Sequence, residues 1–316
     1  MKDNPCIRIG HLKIVDHLIL GIAGLQLKEN ETKLSHSTLE TVAMNSWDQI
    51  CDGLTQNDIN GAFISAPIAM DLFAAGLDIR ALMFTHRSGS VIVRNKTAGV
   101  GNIADFKGKT VLVPSELCVQ NMLLHRLLST AGLTFGIHDD INADVSYEVV
   151  NPFLMTQMLA NDDDNDIAGF AVSEPFGSKA IQKGLAREIC TSQSLWKNHP
   201  CSLFVLKTSF MKQYFEAAEE IISLFVQTGQ YIEEAADDKI LSTAHHFLEQ
   251  DKDVTKTALL DSDIFFDSSL LIPDIEALNI IQSYMTDTMG VLKNKIDMNL
   301  FVDSSFILNI LSKARL

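Results

Sequence analysis

Short apolar runs alternate with longer amphipathic stretches through the first two thirds of the chain. Apolar and period-two patterns bounded by turn residues predict strands over residues 7–12, 61–64, 78–85 and 90–94. Residues 17–25 and 68–75 are predicted to be helical, with Asp16 placed to cap the first helix and Pro67 in the first turn of the second. Strands that alternate with helices predict mainly parallel sheets flanked by helices, an α/β fold class.

The alternation restarts after residue 108, which indicates a second α/β unit. Strands are predicted over residues 109–113, 145–150 and 167–172, and helices over residues 116–131 and 152–160, the second of which is opened by Asn151 and Pro152. After Leu206 only helical periodicity remains, over residues 215–235, 238–249, 273–288 and 304–314. We therefore expect two α/β units followed by a helical C-terminal region.

Composition and charge narrow the function classes. The chain has 316 residues, of which 47% are hydrophobic, enough for a sizeable core. Its formal net charge of −15 at pH 7 argues against nucleic-acid binding, because phosphate contacts need clustered Lys and Arg. No apolar run approaches the roughly 18 residues of a membrane span. Residues 1–10 lack a basic segment followed by an apolar one, so we expect a cytoplasmic chain or a numbering that omits a signal peptide.

The spacing of the cysteines does not indicate a disulfide framework or a metal-binding motif. They are odd in number and widely scattered, without C-x-x-C spacing: Cys6, Cys51, Cys118, Cys190 and Cys201. A disulfide framework and a zinc site are therefore poorly supported. Because no nucleophile–base motif stands out either, we expect no catalytic residue, no metal and no cofactor.

The segment 169–206 is the most informative part of the chain. A buried-type strand leads into SEPFG at residues 173–177, and WKNHP at residues 196–200 precedes another apolar strand. Ligands in open α/β sheets sit at the carboxyl ends of strands. The segment therefore predicts one wall of a small-molecule pocket.

A family resemblance rests on a series of short motifs in order. They are GAFISAP (61–67), HRSG (86–89), VPS (113–115), AGL (131–133), EPFG (174–177), WKNHP (196–200), IPD (272–274) and FVDSSF (301–306). In this order the chain resembles the periplasmic substrate-binding proteins of nitrate/sulfonate/taurine ABC transporters. The resemblance implies a two-lobed type II binding-protein fold.

The resemblance also implies a division into lobes. Residues 1–86 and 206–316 would form the first lobe and residues 87–205 the second. Crossover segments near 86–91 and 201–205 would form a hinge, and a ligand would bind in the cleft between the lobes.

Five candidate site residues belong to the predicted first lobe or its border. Asp16 and His17 follow the first strand, although Asp16 is also explained by helix capping alone. Ser65 and Ala66 precede a helix, whose free backbone N–H groups favour an anion; an ordinary N-cap is the alternative. His86 lies in the first predicted crossover.

The other five candidates belong to the predicted second lobe. Arg87 is the best anion partner, or else forms a salt bridge. Ser115 opens a predicted helix, where it either contacts a ligand or simply caps the helix. Gln120 lies one turn later and faces either the cleft or solvent. Glu174 contacts a ligand amine or hydroxyl, or only stabilises a helix N-terminus. His199 lies at a cleft edge or is a structural histidine.

The resemblance implies a solute-binding component of an ABC importer, without catalysis. Because Asp16 and Glu174 both lie near the predicted cleft, we expect an organic ligand that is sulfonate-, taurine- or pyrimidine-precursor-like. In the nitrate and bicarbonate branch of the family, a charged side chain typically follows the proline of this motif. Here Cys201 and Ser202 occupy those positions, which argues against binding of a small inorganic anion by such a charge. The expected partners are the small-molecule ligand and a membrane permease, with no nucleic acid, and the chain is expected to be a monomer.

Two alternatives remain open. One is a cytoplasmic ligand-binding sensor on the same fold, and the other is an enzyme resembling the pyrimidine-precursor synthases of thiamine biosynthesis. The second alternative is weaker, because those synthases carry a cysteine-rich iron motif that this sequence lacks. The expected location is periplasmic or extracytoplasmic for the importer and cytoplasmic for the sensor.

Overall fold

The computed structural model describes residues 4–137, 140–234 and 238–314. The predicted helix over 215–235 ends, and the predicted first lobe begins and ends, at positions outside the described residues. The elements in chain order are β1 (Cys6–His11), α1 (Leu18–Lys28), β2 (Thr38–Ala43), α2 (Trp47–Thr55), β3 (Gly61–Ser65), α3 (Ala66–Ala74), β4 (Ile79–Phe84), β5 (Ser90–Asn95), β6 (Thr110–Val113), α4 (Val119–Thr130), β7 (Phe135–Ile137), β8 (Val145–Val149), α5 (Pro152–Ala160) and β9 (Ile167–Ser173).

The chain continues with a larger share of helices. These elements are α6 (Phe176–Gln182), β10 (Ala186–Thr191), α7 (Ser192–Leu195), β11 (Ser202–Lys207), α8 (Thr208–Gln213), α9 (Phe215–Glu234), α10 (Asp238–Leu248), α11 (Lys252–Leu260), α12 (Ile275–Ser283), α13 (Met298–Phe301) and α14 (Ser305–Ala314). A π-helical turn, Tyr284–Thr288, extends α12. None of the described helices is both long and apolar enough to cross a membrane.

The chain folds into two compact units. The first unit comprises residues 1–87, 200–249 and 265–316, and the second comprises residues 88–199 and 250–264. The family resemblance implies that the whole helical tail belongs to the first lobe, whereas the structure places α11 in the second unit. The sequence analysis predicted no helix over Lys252–Leu260, and helical periodicity by itself does not say which sheet a helix covers.

The first unit is built on a five-stranded mixed sheet. Its strand order is β2-β1-β3-β11-β4, in which β1 pairs in parallel with β2 and β3, and β11 runs antiparallel to β3 and β4. Three fully buried rings from β3, β11 and α9 pack on one another with centroids 5.2–5.6 Å apart: Phe63, Phe204 and Phe225. Burying three aromatic side chains fixes α9 on this sheet.

The second unit contains a six-stranded mixed sheet. Its order is β10-β5-β9-β6-β8-β7, with parallel pairing among β6, β7, β8 and β9 and antiparallel pairing of β5 with β9 and β10. A core of apolar side chains, including Phe106, Val111 and Leu124, packs against this sheet. Two mixed sheets flanked by helices confirm the α/β fold class.

Several predicted element starts are confirmed and others are corrected. Pro67 lies in the first turn of α3, and Asn151 caps α5 by accepting from Phe153 N, as the sequence indicates. The helix predicted from residue 116 begins at Val119, because the Cys118 thiol caps it by accepting from Asn121 N. Asp16 lies inside a 3₁₀ turn, Val15–His17, so α1 begins only at Leu18 and has no side-chain cap.

Candidate functional site

The first unit gathers polar side chains at one edge of its sheet. Since β11 is antiparallel to both β3 and β4, its amino end lies beside their carboxyl ends. Asp16 follows β1, His86 follows β4, and Cys201 directly precedes β11. All three side chains are buried, with relative exposures of 1%, 0% and 2%. Carboxyl ends of strands are the usual place for ligands in α/β sheets, so this edge is the unit's candidate site.

Asp16 joins the other two side chains of this cluster. Its Oδ2 atom lies 3.4 Å from His86 Nε2, and the Cys201 thiol donates to the same oxygen across 3.6 Å. The structure therefore brings the predicted residues Asp16 and His86 together. Cys201 belongs to the same group, although the sequence analysis did not name it as a candidate site residue.

His17 lies next to this cluster but points into an aromatic environment. Its ring meets Phe63 and Trp47 edge-on at centroid distances of 5.7 and 5.8 Å, and Leu12 N donates to its Nδ1 at 3.0 Å. Complete burial lowers the pKa of His17 well below its usual value of 6.5. The ring is therefore neutral at physiological pH and supplies no positive charge for an anion.

One backbone N–H at the N-terminus of α3 is engaged within the protein. Ala66 N donates to Cys201 O at 2.9 Å, and the Ser65 side chain does not cap the helix. The backbone N–H that was predicted to hold an anion at Ala66 is thus engaged with the residue preceding β11. Anion binding at Ser65 and Ala66 stays a prediction.

Arg87 is held by groups of the first unit. Its guanidinium carbon lies 4.1 Å from the centroid of the Phe84 ring, and Nε donates to Leu270 O at 2.6 Å. Burial lowers the pKa of Arg87 to about 10, which leaves it charged at neutral pH. The arrangement is a cation–π contact joined to a charged hydrogen bond, a structural use of the side chain.

The second unit has its own polar cluster at the edge where β5 begins and β9 ends. The Gln120 side-chain nitrogen donates to Ser90 Oγ at 3.0 Å and to Ser173 Oγ at 2.7 Å. The sequence left open whether Gln120 faces the cleft or solvent. Because its side chain is buried, it does not face bulk solvent. Ser90 and Ser173, which the sequence did not single out, complete the group with Ser192, whose Oγ accepts from Ser90 N.

Glu174 follows β9 in the same cluster and stabilises the start of α6. Its carboxylate accepts from Ser178 N at 3.0 Å and from Ser178 Oγ at 2.9 Å. Burial raises the pKa of Glu174 to about 7, against the lowering effect of the Ser178 contacts. Glu174 is therefore a buried carboxyl group that titrates near neutrality, a property often found at binding sites.

Ser115 and His199 occupy loops of the second unit. Ser115 Oγ accepts from Leu117 N at 3.1 Å, and Cys118 rather than Ser115 caps α4. His199 is fully buried with its ring 6.2 Å from that of Trp196, and its carbonyl accepts from Ser88 N. Their ligand roles stay predictions.

A further cavity lies elsewhere in the first unit. It measures about 820 Å³, contains none of the ten predicted site residues, and is lined by polar and acidic side chains of residues 32–36 and α9 together with α14. Its lining mixes the carboxylates of Glu216, Glu219 and Glu220 with Lys33 and Lys313. It does not lie at the carboxyl edge of a sheet, where ligands of α/β folds usually bind. We therefore retain the strand-edge cluster of each unit as that unit's candidate site.

Curated relatives of the chain include transport proteins. The nitrate import ATP-binding protein NrtC of Synechocystis is 25% identical over 206 residues, which cover 60% of this chain and 29% of that protein. The nitrate/nitrite binding protein NrtA of Nostoc is 24% identical over 251 residues, covering 72% of this chain and 54% of NrtA. The chain thus spans between about a third and a half of the length of these relatives.

Solved structures share the fold along nearly the whole chain. The ligand-binding component of an ABC-type import system from Staphylococcus aureus, solved with zinc bound, has a TM-score of 0.83 at 20% identity and covers 97% of this chain and 99% of its own. The nitrate-binding protein NrtA from Synechocystis has a TM-score of 0.79 at 16% identity, covering 98% and 89%. These likenesses confirm the periplasmic binding-protein fold. The NMT1-like family model matches residues 2–245, and the chain therefore belongs to the NMT1-like family.

Proposed function

We propose that this protein is the solute-binding component of an ABC importer and that it binds a small organic solute without transforming it. The observation that carries the proposal is the pair of buried polar clusters, one at the carboxyl edge of each sheet, in a chain of this family. One contains Asp16 and His86, and the other contains Gln120, Ser173 and Glu174. In α/β sheets, such edges supply the polar groups that orient a small ligand.

The charges of these clusters favour an organic solute over a bare inorganic anion. Each cluster contributes a carboxyl group, Asp16 or Glu174, and Arg87, the one arginine of the candidate set, contacts Phe84 and Leu270 O. A carboxylate binds an amine, a ring nitrogen or a hydroxyl, whereas it repels an anion. A solute with a basic or hydroxyl group beside an anionic one, such as taurine or a phosphorylated aminopyrimidine, fits better than nitrate.

The rest of the proposal concerns partners and location. Proteins with this fold include ones described as periplasmic binding proteins, so we place the protein outside the cytoplasmic membrane and name a membrane permease as its partner. The transport role predicts a monomer. A cytoplasmic sensor would use the same clusters, and the cellular fraction in which the natural gene product is found separates the two roles.

A thermal-shift screen of the full chain tests the proposal. The panel contains taurine, a short alkanesulfonate, a phosphorylated aminopyrimidine, nitrate and bicarbonate. A solute at a hundred times its Kd stabilises the folded state by about 2.7 kcal/mol, which raises the melting temperature by several degrees. A folded protein that no member of the panel stabilises would count against binding of this solute class.

Variants test whether the second unit's cluster takes part. Glu174→Gln removes the carboxylate and should abolish or greatly weaken the shift for an amine-bearing solute. The matched control is Glu148→Gln, at an exposed position of β8. Equal shifts in both variants would exclude Glu174 from the site.

A further inference from the structure

Three side chains with metal-ligating atoms meet at the carboxyl edge of the first unit's sheet. Asp16 Oδ2 lies 3.4 Å from His86 Nε2 and 3.6 Å from Cys201 Sγ. The ligand atoms of all three residues lie within 4.8 Å of one another. We propose that Asp16, His86 and Cys201 bind one transition-metal ion, and that zinc(II) is the ion the group fits best.

The spacing of the three atoms suits a zinc ion. Zinc binds imidazole nitrogen and carboxylate oxygen at about 2.0–2.2 Å and thiolate sulfur at about 2.3 Å, so tetrahedral ligand atoms lie roughly 3.4–3.6 Å apart. The two separations from Asp16 already have this size. The remaining separation, between the ligand atoms of His86 and Cys201, is at most 4.8 Å, so these two atoms need to approach each other by at most about 1.2 Å to bind one ion.

The mixture of ligand types selects among metals. Calcium and magnesium take oxygen ligands almost alone, which disfavours a set containing thiolate and imidazole. Nitrogen, sulfur and oxygen together suit zinc and its neighbours in the first transition row. Three protein ligands leave the fourth tetrahedral position for water or for a donor atom of a solute.

A second layer of contacts orients His86 for this role. Thr85 Oγ1 lies 3.1 Å from His86 Nδ1 and donates to Ser202 O at 3.4 Å. A hydroxyl that gives its proton to a carbonyl accepts from Nδ1–H, which leaves the lone pair of the imidazole on Nε2. Nε2 is the ring nitrogen that faces Asp16, and metal-ligating histidines are commonly oriented by such a contact.

Burial strengthens the electrostatic case. The three residues are at most 2% exposed, and metal binding requires the thiolate and the carboxylate in their charged forms. Two negative charges at this depth are costly unless a positive charge lies beside them. A divalent ion in contact with both supplies that charge. The competing account is a hydrogen-bonded trio that never binds metal, with the Cys201 thiol donating to Asp16.

Metal titration of the full chain separates the two accounts. The protein is first treated with a chelator and then titrated with zinc chloride in the absence of any candidate solute, so the result does not depend on the proposed transport role. We expect one zinc per chain. Titration with cobalt(II) should give a thiolate-to-metal charge-transfer band, which reports a Co–S bond directly. No zinc binding by the folded chain, or cobalt binding without that band, would overturn the proposal.

Substitutions assign the ligands. Cys201→Ser should abolish the charge-transfer band and weaken zinc binding by at least about a hundredfold, and Thr85→Val should weaken zinc binding by about 10- to 100-fold through the second layer. The control is Cys118→Ser, also a buried cysteine, where serine retains an acceptor that caps α4. If a Cys201→Ser protein binds zinc as tightly as the Cys118→Ser protein, the proposal is wrong. Should Cys201→Ser fail to fold, the cobalt spectrum of the unsubstituted chain decides.

Discussion

The guanidinium of Arg87 lies over the ring of Phe84, with its carbon 4.1 Å from the ring centroid. This contact, together with the hydrogen bond to Leu270 O, links the end of β4 to residues 265–316 of the same unit. An arginine that the sequence suggested as an anion partner is thus engaged in holding the first unit together.

We expect Arg87→Lys to lower the stability of the protein. Lysine retains the charge but loses the planar stacking and the Nε–H donor, which together are worth about 1–2 kcal/mol. The melting temperature of the full chain, followed by circular dichroism, should fall by several degrees. Arg80→Lys is the matched control, because Arg80 lies 5.9 Å from the Phe73 centroid and its substitution should cost less. Equal losses in both variants would contradict this account.

The stability contribution of Glu174 should depend on pH. Its pKa is raised to about 7 by burial, above the roughly 4.5 of an unfolded glutamate, so the folded protein prefers the protonated form. The contribution is therefore fully present below about pH 4.5 and is lost as the pH rises through 7. At one pKa unit per 1.36 kcal/mol, the loss amounts to about 3 kcal/mol.

Glu174→Gln removes that titration. Relative to the unsubstituted chain, the variant should gain melting temperature steadily between about pH 5 and pH 8. The control Glu148→Gln, at an exposed position, should run parallel to the unsubstituted chain. Parallel pH curves for Glu174→Gln as well would show that folding does not raise the pKa of this carboxyl group.

The hydrogen bonds of Gln120 connect α4 to the start of one strand and the end of another. Gln120→Leu keeps the approximate volume but removes both donors, to Ser90 and to Ser173, in a buried setting. We expect a loss of about 2 kcal/mol in the free energy of unfolding. Gln157→Leu, at an exposed position of α5, is the control and should change the melting temperature little. A loss no larger than in the control would contradict the buried network.

Gly169 allows β9 to approach β5 closely. A Cβ atom at this position would lie 2.0 Å from Val93 O and 2.9 Å from Arg94 Cα, both backbone atoms that cannot move without separating the strands. Gly169→Ala should therefore destabilise the protein by about 3 kcal/mol or prevent folding.

The control for Gly169 is a glycine with room around it. At Gly24, in α1, the atom nearest to an added Cβ would be Thr41 Cγ2, at an ordinary contact distance of 3.7 Å. Gly24→Ala should be neutral or stabilise the helix by up to about 1 kcal/mol. Similar melting temperatures for the two alanine variants would refute the steric argument.

Local signals in the sequence predicted much of the secondary structure. The start of α5 follows from an asparagine cap and a proline in the first turn, and both act as expected. The start of α4 was misplaced because a cysteine thiol, an unusual cap, replaces the serine or aspartate that sequence rules favour. The strand β2 was missed because it forms the sheet edge and is largely exposed, which weakens its apolar pattern.

The candidate site was less predictable than the fold. Asp16 and His86 were chosen because each follows a strand, yet their direct contact depends on which strands are neighbours in the sheet. Cys201 joins them only because β11 inserts antiparallel between β3 and β4. Periodicity identifies strands but not their order, so contacts between residues far apart in sequence require the structure.

Titration calorimetry of the full chain with the solute panel tests the central claim most directly. We predict that one organic solute bearing an amine, ring nitrogen or hydroxyl beside an anionic group binds with one site per chain, and that it is recovered chemically unchanged. Binding of nitrate alone, conversion of the bound compound to a product, or no heat of binding from any compound with folded protein would contradict the account.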